Sequence, residues 1–275
     1  MLPAQRSSWL VHLSPIRRSA SVTMHPAEYS TEAWVNFDSG RRDRSRQVIT
    51  AMAILLSAAP LTGPATAGAE AQLCNPSSVD ANQMCHFAAS GPLSDISMVF
   101  PANYPDEQTM ISYLTKTDDD FRNARGPLNT LKSPTALKVN GIRYSSGSQA
   151  TGTQSVVTEI YQNLGAAHPL VWYKSFNYNL ANQQPITFDT LFQPGTQPMQ
   201  AILPIVQKTL ADRYRARVSI PPATGLAPSN YQSFAITSDA IVFFFDQNAL
   251  QPAMEATQVS VPRSALAPMI SPDIA

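Results

Sequence analysis

Apolar and polar residues alternate along much of the chain after residue 135, a period of two that is typical of half-buried strands. The alternation predicts three strands, over 136–144, 155–162 and 170–180. In the third strand, we expect the face that carries Trp172 and Phe176 to pack against the core. The opposite face carries Ser175, Asn177 and Asn179, and we expect it to contact water.

Two other stretches carry apolar residues at the helical period. The first follows Pro105 and Asp106, which suit the first turn of a helix, and its apolar stripe comprises Met110, Tyr113, Leu114, Thr117 and Phe121. The second helix is predicted over 198–214, where Pro204 should begin the regular helix or kink it. Consecutive helical residues point in different directions, so we interpret the acidic run 118–120 as a solvated end of the first helix.

Shorter strands complete the pattern and suggest the fold class. They are predicted over 94–100, 186–188, 231–236, 240–245 and 258–261. The run 241–245 is apolar at every position, which favours a central strand covered on both faces, with an exposed docking surface as the alternative. Strands and helices do not alternate strictly. We therefore expect an α+β fold, a single domain with a mixed or antiparallel sheet and two main helices.

The first 68 residues have the features of an export signal. Four arginines between residues 41 and 46 precede an apolar run of 12 residues over 48–59, and Ala65-Thr66-Ala67 resembles a cleavage site. A membrane-spanning helix needs roughly 17 to 25 residues, so this run is short. We expect a leader over 1–47, disordered or upstream of the true start, a signal peptide over 48–68 and a secreted domain over 69–275. Membrane attachment is expected only if the signal stays uncleaved.

The charge of the exported part limits its partners. Residues 68–275 contain 12 Lys and Arg against 15 Asp and Glu, without a basic stripe. Nucleic acid is therefore not expected as a partner. About 200 residues suffice to bury one sizeable core, so a single domain is expected.

The two cysteines of the chain, Cys74 and Cys85, both lie in the exported part. An even count in an oxidising compartment favours a disulfide. Closing so short a loop would stabilise the fold by about 3 kcal/mol. A metal site that uses both cysteines and His86 is the alternative, but a second cysteine pair and short ligand spacing are missing from the sequence.

Histidine is the usual general base of a nucleophilic enzyme, and the exported part has only His86 and His168. The sequence contains no Gly-x-Ser-x-Gly elbow, phosphate loop or zinc-protease motif, and we expect no cofactor. The turn at His168-Pro169 is a candidate binding site, although His168 could also be a base or a plain turn residue. A glycosidase with two separated carboxylates stays open.

Several segments resemble the mycobacterial secreted immunogenic protein family. The resemblance lies in 155–169 (SVVTEIYQNLGAAHP), 172–178 (WYKSFNY), 185–192 (PITFDTLF), 230–237 (NYQSFAIT) and 261–265 (VPRSA), and it extends over about residues 74–270. More distantly, the Gly-x-x-His-Pro turn is similar to the lysozyme-sensing extracytoplasmic domain of certain anti-sigma factors. The resemblance implies a secreted, β-grasp-like α+β domain with an amino-terminal disulfide. It supplies no catalytic residues.

The function expected from these observations is that of a secreted, non-enzymatic binding or host-interaction protein. Its partner would be an extracellular or host protein, and the distant resemblance points to a lysozyme-like one. Two alternatives remain: a cell-envelope glycan hydrolase, and an anti-sigma sensor in which 48–68 spans the membrane. The family's Gly-Gly turn has Ala166 at its second position, where a positive φ is less comfortable.

Overall fold

The computed structural model of the chain describes residues 73–165 and 168–274, which form two β-sheets and five α-helices. The predicted leader over 1–47 and signal peptide over 48–68 lie outside the described residues, and these expectations stay predictions. No helix in the described ranges is long and apolar enough to cross a membrane.

The large sheet has six strands that lie side by side in chain order. They are β1 (Met84–Gly91), β2 (Ser94–Pro101), β3 (Thr135–Ser146), β4 (Thr153–Asn163), β5 (Leu170–Asn179) and β6 (Gln184–Pro185). All neighbours are antiparallel except β2 and β3, which are parallel and are joined through α1 (Glu107–Arg125). The sheet is therefore mixed. β1 was not predicted, whereas β2 to β5 lie within two residues of their predicted bounds.

Helix α1 packs on one face of the large sheet through the predicted stripe. Met110, Leu114 and Phe121 are fully buried, in one core with residues of β1 to β5. The helix begins at Glu107 rather than at Pro105. The interpretation of 118–120 as a solvated end was wrong for Asp118, which is buried and accepts a hydrogen bond from Arg122 Nε at 2.9 Å. Asp118 reaches the buried side because it follows the stripe position Thr117 and lies four residues after Leu114.

The small sheet and the remaining helices form a second core. Its strands are β7 (Phe234–Ile236), β8 (Ala240–Phe245) and β9 (Thr257–Pro262), all antiparallel. The helices are α2 (Phe188–Leu191), α3 (Pro198–Tyr214), α4 (Pro222–Gly225) and α5 (Arg263–Leu266). Helix α3 has the predicted bounds, and it begins at Pro198, so Pro204 does not start it. The strand predicted over 186–188 was wrong, because Thr187 caps α2 and Phe188 is its first residue.

Strand β8 is covered on both faces, as its apolar run predicted. One face of β8 carries Ile241, Phe243 and Phe245 and packs in the core formed by the small sheet and α3. Val242 and Phe244 face the large sheet and pack with Val157 of β4. The two sheets therefore share an apolar contact between β8 and β4.

The small sheet also covers the face of β5 that was expected to be wet, and that expectation was wrong. Asn177 and Asn179 are buried. Ser175 Oγ accepts a hydrogen bond from Phe234 N at 3.1 Å, and Asp246 Oδ1 accepts one from Tyr173 N at 2.8 Å. These polar side chains satisfy backbone groups at the junction of the sheets. The alternation of apolar and polar residues in β5 could not show whether its polar face contacts the small sheet or water.

Candidate functional site

The disulfide between Cys74 and Cys85 ties the start of the described chain to β1, with the two Cα atoms 5.7 Å apart. Both cysteines belong to the core under α1. The alternative metal site with His86 is wrong, because both sulfur atoms are bonded to each other and His86 is exposed. Nor do three His, Cys, Asp or Glu side chains form a metal-binding group anywhere in the described residues.

His86 lies on the exposed side of β1 and pairs with a carboxylate. Its Nε2 is 3.0 Å from Asp80 Oδ2. The hydrogen bond from His86 is the main cause of a lowered pKa at Asp80. The pair of His86 and Asp80 resembles two members of a Ser-His-Asp triad. The third member is missing, because no Ser or Thr hydroxyl in the described part of the chain is hydrogen-bonded to the His86 ring.

His168 and Pro169 lie in the turn between β4 and β5, as predicted. His168 is exposed and Pro169 partly so. The turn opens with Gly165 at a φ of 81°, and Asn163 Oδ1 accepts a hydrogen bond from Gly165 N at 2.8 Å. Positions 166 and 167 lie outside the described residues, so the effect of Ala166 stays a prediction. His86 and His168 lie apart. The turn of His168 is at the end of the sheet where β1 ends with Gly91, and His86 is five residues along β1 from that end.

Two exposed leucines flank this turn, and a third lies at the same end of the sheet beside β1. Leu164 and Leu170 flank His168 and Pro169 with relative exposures of 39% and 54%, and Leu128, at 50%, lies beside Gly91 of β1. The strand pairing places all of them at one end of the large sheet, within about 20 Å. We call this surface the apolar end: Leu128, Leu164, His168, Pro169 and Leu170. Sequence reasoning found the turn but not the leucines, since single exposed leucines give no pattern.

A second surface is a cleft of about 410 Å³ where the open part of the large sheet meets the small sheet. We call it the junction cleft, and it is lined by Asn140, Ile142, Tyr144, Val157, Glu159, Tyr173, Arg213, Phe244, Ala256, Thr257 and Gln258. The aromatic rings pack on one another, with centroids 5.2 Å apart for Tyr173 and Phe244 and 6.0 Å for Tyr144 and Phe244. These residues come from six elements, so no local motif could have revealed the cleft.

The polar groups of the junction cleft are held in place. The Tyr173 hydroxyl donates to Glu159 Oε2 at 3.1 Å, and burial followed by this carboxylate raises the pKa of Tyr173 well above its usual range. The hydroxyl therefore stays protonated and keeps Glu159 oriented. Arg213 donates to Thr257 Oγ1 and, at 2.8 Å, to the carbonyl of Gln258. A carboxylate and a guanidinium thus line the same cleft.

These features describe a disulfide-tied α+β domain with an exposed apolar end and a polar cleft where its two sheets meet. Two immunogenic proteins, MPB64 of Mycobacterium bovis and MPT64 of Mycobacterium tuberculosis, are each 37% identical to it over 225 residues, which is 82% of this chain and 97% of theirs. The chain therefore belongs to the mycobacterial immunogenic protein family of MPB64 and MPT64.

Another relative has a different name. "Esterase Rv3036c" of Mycobacterium tuberculosis is 47% identical over 192 residues, 70% of this chain and 85% of that protein. The sequence model of a protein family described as a protein of unknown function (DUF3298) matches residues 189–264, from α2 to α5. The names of the relatives therefore include both an antigen and an enzyme.

Solved structures with a related description also match. Crystal structures of DUF3298 family proteins from Pseudomonas aeruginosa PAO1 and Bacteroides fragilis NCTC 9343 are each 12% identical, with a TM-score of 0.48. Each covers 69% of this chain, and the match includes 94% and 93% of their own chains.

Proposed function

We propose that this chain is a secreted, non-enzymatic binding protein that contacts an extracellular protein through its apolar end. The observation that carries the proposal is the exposure of Leu128, Leu164 and Leu170 around the His168-Pro169 turn. Fully burying a leucine side chain contributes about 1.5–3 kcal/mol, and here only a partner could cover all three. Removing apolar surface from water is the dominant favourable contribution to most protein–protein association.

The partner that fits best is a basic extracellular or host protein, with a lysozyme as the first candidate. The exported part carries an excess of acidic residues, which favours association with a protein of opposite charge. The distant similarity of the turn to a lysozyme-sensing domain supports the same choice. Secretion itself is part of this proposal and rests on the signal predicted over 48–68.

A direct binding measurement tests this function. Lysozyme is immobilised, and the affinities of the wild-type protein and of the Leu170→Ser and His168→Ala variants are measured by biolayer interferometry. We expect the Leu170→Ser variant to bind about tenfold more weakly, because an apolar anchor is lost. Tyr214→Ser is the matched control, since Tyr214 is 43% exposed at the end of α3. Absence of binding, or equal loss in the control, contradicts the proposal.

The second candidate function is ester hydrolysis. It is favoured by the name of the 47% identical relative and by the carboxylate–imidazole pair of Asp80 and His86. A serine hydrolase needs a hydroxyl on the other side of its histidine, together with donors that stabilise the oxyanion. If this chain is an esterase, His86→Ala or His168→Ala should abolish turnover of 4-nitrophenyl butyrate without unfolding the protein.

A further inference from the structure

The junction cleft lies apart from the apolar end and has a different chemistry. Tyr173, the lining residue nearest to the apolar end along β5, is three residues from Leu170, so the cleft begins about 10 Å from that end of the sheet. Its size falls in the range of pockets that hold small ligands, and polar groups surround an aromatic centre. Nothing in the proposed protein contact uses it.

The cleft carries one charged group of each sign. Glu159 and Arg213 both line it, and they do not form an ion pair among the described residues. The carboxylate would repel a small anion bound at Arg213, and the guanidinium would repel a small cation bound at Glu159. A neutral ligand whose hydroxyls both donate and accept hydrogen bonds satisfies both groups without repulsion.

The remaining lining residues fit the other half of such a ligand. Tyr144, Tyr173 and Phe244 form a cluster of rings beside the partly exposed Ile142. A pyranose ring has an apolar face of C–H groups that can lie on an aromatic ring, while its hydroxyls project at the edge. The side-chain amides of Asn140 and Gln258 add donors and acceptors at the rim of the cleft.

We propose that the junction cleft is a saccharide-binding site for a short, uncharged segment of a glycan. Glu159 accepts hydrogen bonds from sugar hydroxyls in an orientation set by Tyr173. Arg213, held by Thr257 and the Gln258 carbonyl, donates to ring or hydroxyl oxygens. The rings of Tyr144 and Tyr173 contact the apolar face of the sugar.

The site binds the glycan without cleaving it. Hydrolysis of a glycosidic bond by the usual route needs two carboxylic groups on either side of the bond. Glu159 supplies the one carboxylate among the described residues that line the cleft. Tyr173 is kept protonated and hydrogen-bonded to that carboxylate, so its hydroxyl positions Glu159 rather than attacking substrate.

Calorimetric and NMR titrations test the site with defined probes. The purified ¹⁵N-labelled protein is titrated with chitotriose, cellotriose and maltotriose, and with dialanine as a zwitterionic probe. We expect saturable binding of at least one trisaccharide, with amide shift changes at Asn140, Tyr173 and Gln258. Glu159→Ala should weaken this binding by about tenfold or more, and Tyr173→Phe by a smaller factor, because each removes a hydrogen-bonding group.

Lys208→Ala is the matched control, because Lys208 is an exposed charge on the same helix as Arg213, and neither it nor its partner Asp212 lines the cleft. The control should bind like the wild type, and thermal unfolding of each variant verifies its fold. The proposal is overturned if no trisaccharide binds up to its solubility limit, or if dialanine alone binds. It is also overturned if folded Glu159→Ala and Tyr173→Phe both bind with unchanged affinity.

Discussion

Ile142 and Val157 lie directly opposite each other on neighbouring strands, on the same face of the large sheet, but they differ greatly in exposure. Val157 is 2% exposed, because Val242 and Phe244 of the small sheet cover it. Ile142 is 48% exposed. The edge of the small sheet thus falls between two adjacent strands, and the junction cleft forms at that boundary.

The comparison teaches that one sheet face can serve two purposes. Where the small sheet covers β4 and β5, as at Val157, this face contributes to stability, and the hydroxyls of Ser155 and Ser175 accept hydrogen bonds from backbone N–H groups of the small sheet. The half that carries His86 and Ile142 is left available for contact with solvent or a ligand. Mutations should therefore divide sharply between large effects in covered regions and small effects in open ones.

The largest effect is expected in β8, the strand that is covered on both faces. Phe243 is fully buried in β8 and lies 5.4 Å from the ring of Tyr231. Phe243→Ala should lower the free energy of unfolding by about 3–5 kcal/mol, because it removes a ring and leaves a cavity. Ile142→Ala, on the open half of the large sheet, should change it by less than about 0.5 kcal/mol. Equal effects in urea denaturation would contradict the division.

Helix α1 provides the same comparison across one element. Leu114 is fully buried, so Leu114→Ala should destabilise the protein by about 2–5 kcal/mol. Asp119 is exposed, and Asp119→Ala should cost less than about 0.5 kcal/mol. Chemical denaturation measures both. A similar loss in the two variants would mean that α1 does not pack through its predicted stripe.

The disulfide should contribute less than the largest core residues. Cys74 and Cys85 are 11 residues apart, so a Cys74→Ser, Cys85→Ser double variant should lose about 3 kcal/mol of stability in the chain-entropy account. Thiol labelling of the unreduced, denatured wild type should detect no free cysteine. Labelling of both cysteines would disprove the bond.

Tyr231 tests a single buried hydroxyl in the second core. It donates to the carbonyl of Gly225 at 2.8 Å, and Tyr231→Phe should cost about 1–3 kcal/mol because that carbonyl loses its partner. Thermal unfolding at neutral pH measures this loss. Gln232→Ala is the control, because Gln232 is exposed.

The same tyrosine predicts a dependence on alkaline pH. Burial raises the pKa of Tyr231 to about 12, above the ordinary value of 10.0. Its contribution to stability is therefore fully present below pH 10 and is lost as pH rises through about 12. The stability of Tyr231→Phe should decline less steeply than that of the wild type in this window. Parallel declines would show that Tyr231 ionises normally.

The sequence predicted best where the apolar pattern of an element is strong and local. Helix α3 has its predicted bounds, and the apolar run of β8 correctly indicated a strand covered on both sides. Strand β1 was missed, because Ala88, Ala89 and Ser90 weaken the alternation that identifies a strand. Polar residues of β5 were wrongly expected to face water, since Ser175 and Asn179 bond to Phe234 and Asp273, which lie far along the chain.

Of the two candidate sites, the sequence predicted one and missed the other. The His168-Pro169 turn was visible because a short local motif marks it. The junction cleft was not, because only the packing of the two sheets brings Arg213 of α3 to the same cleft as Glu159 and Tyr173, which are paired on β4 and β5.

The central proposal is that this member of the immunogenic protein family is a binding protein and not an esterase. The most direct test measures turnover of 4-nitrophenyl butyrate, together with labelling by a fluorophosphonate that reacts with activated serines. The wild-type protein and the His86→Ala and His168→Ala variants are compared. We predict that none of the three proteins shows turnover above the buffer rate and that none is labelled. Turnover and labelling by the wild type that disappear in either folded histidine variant would contradict the claim and identify the chain as an esterase.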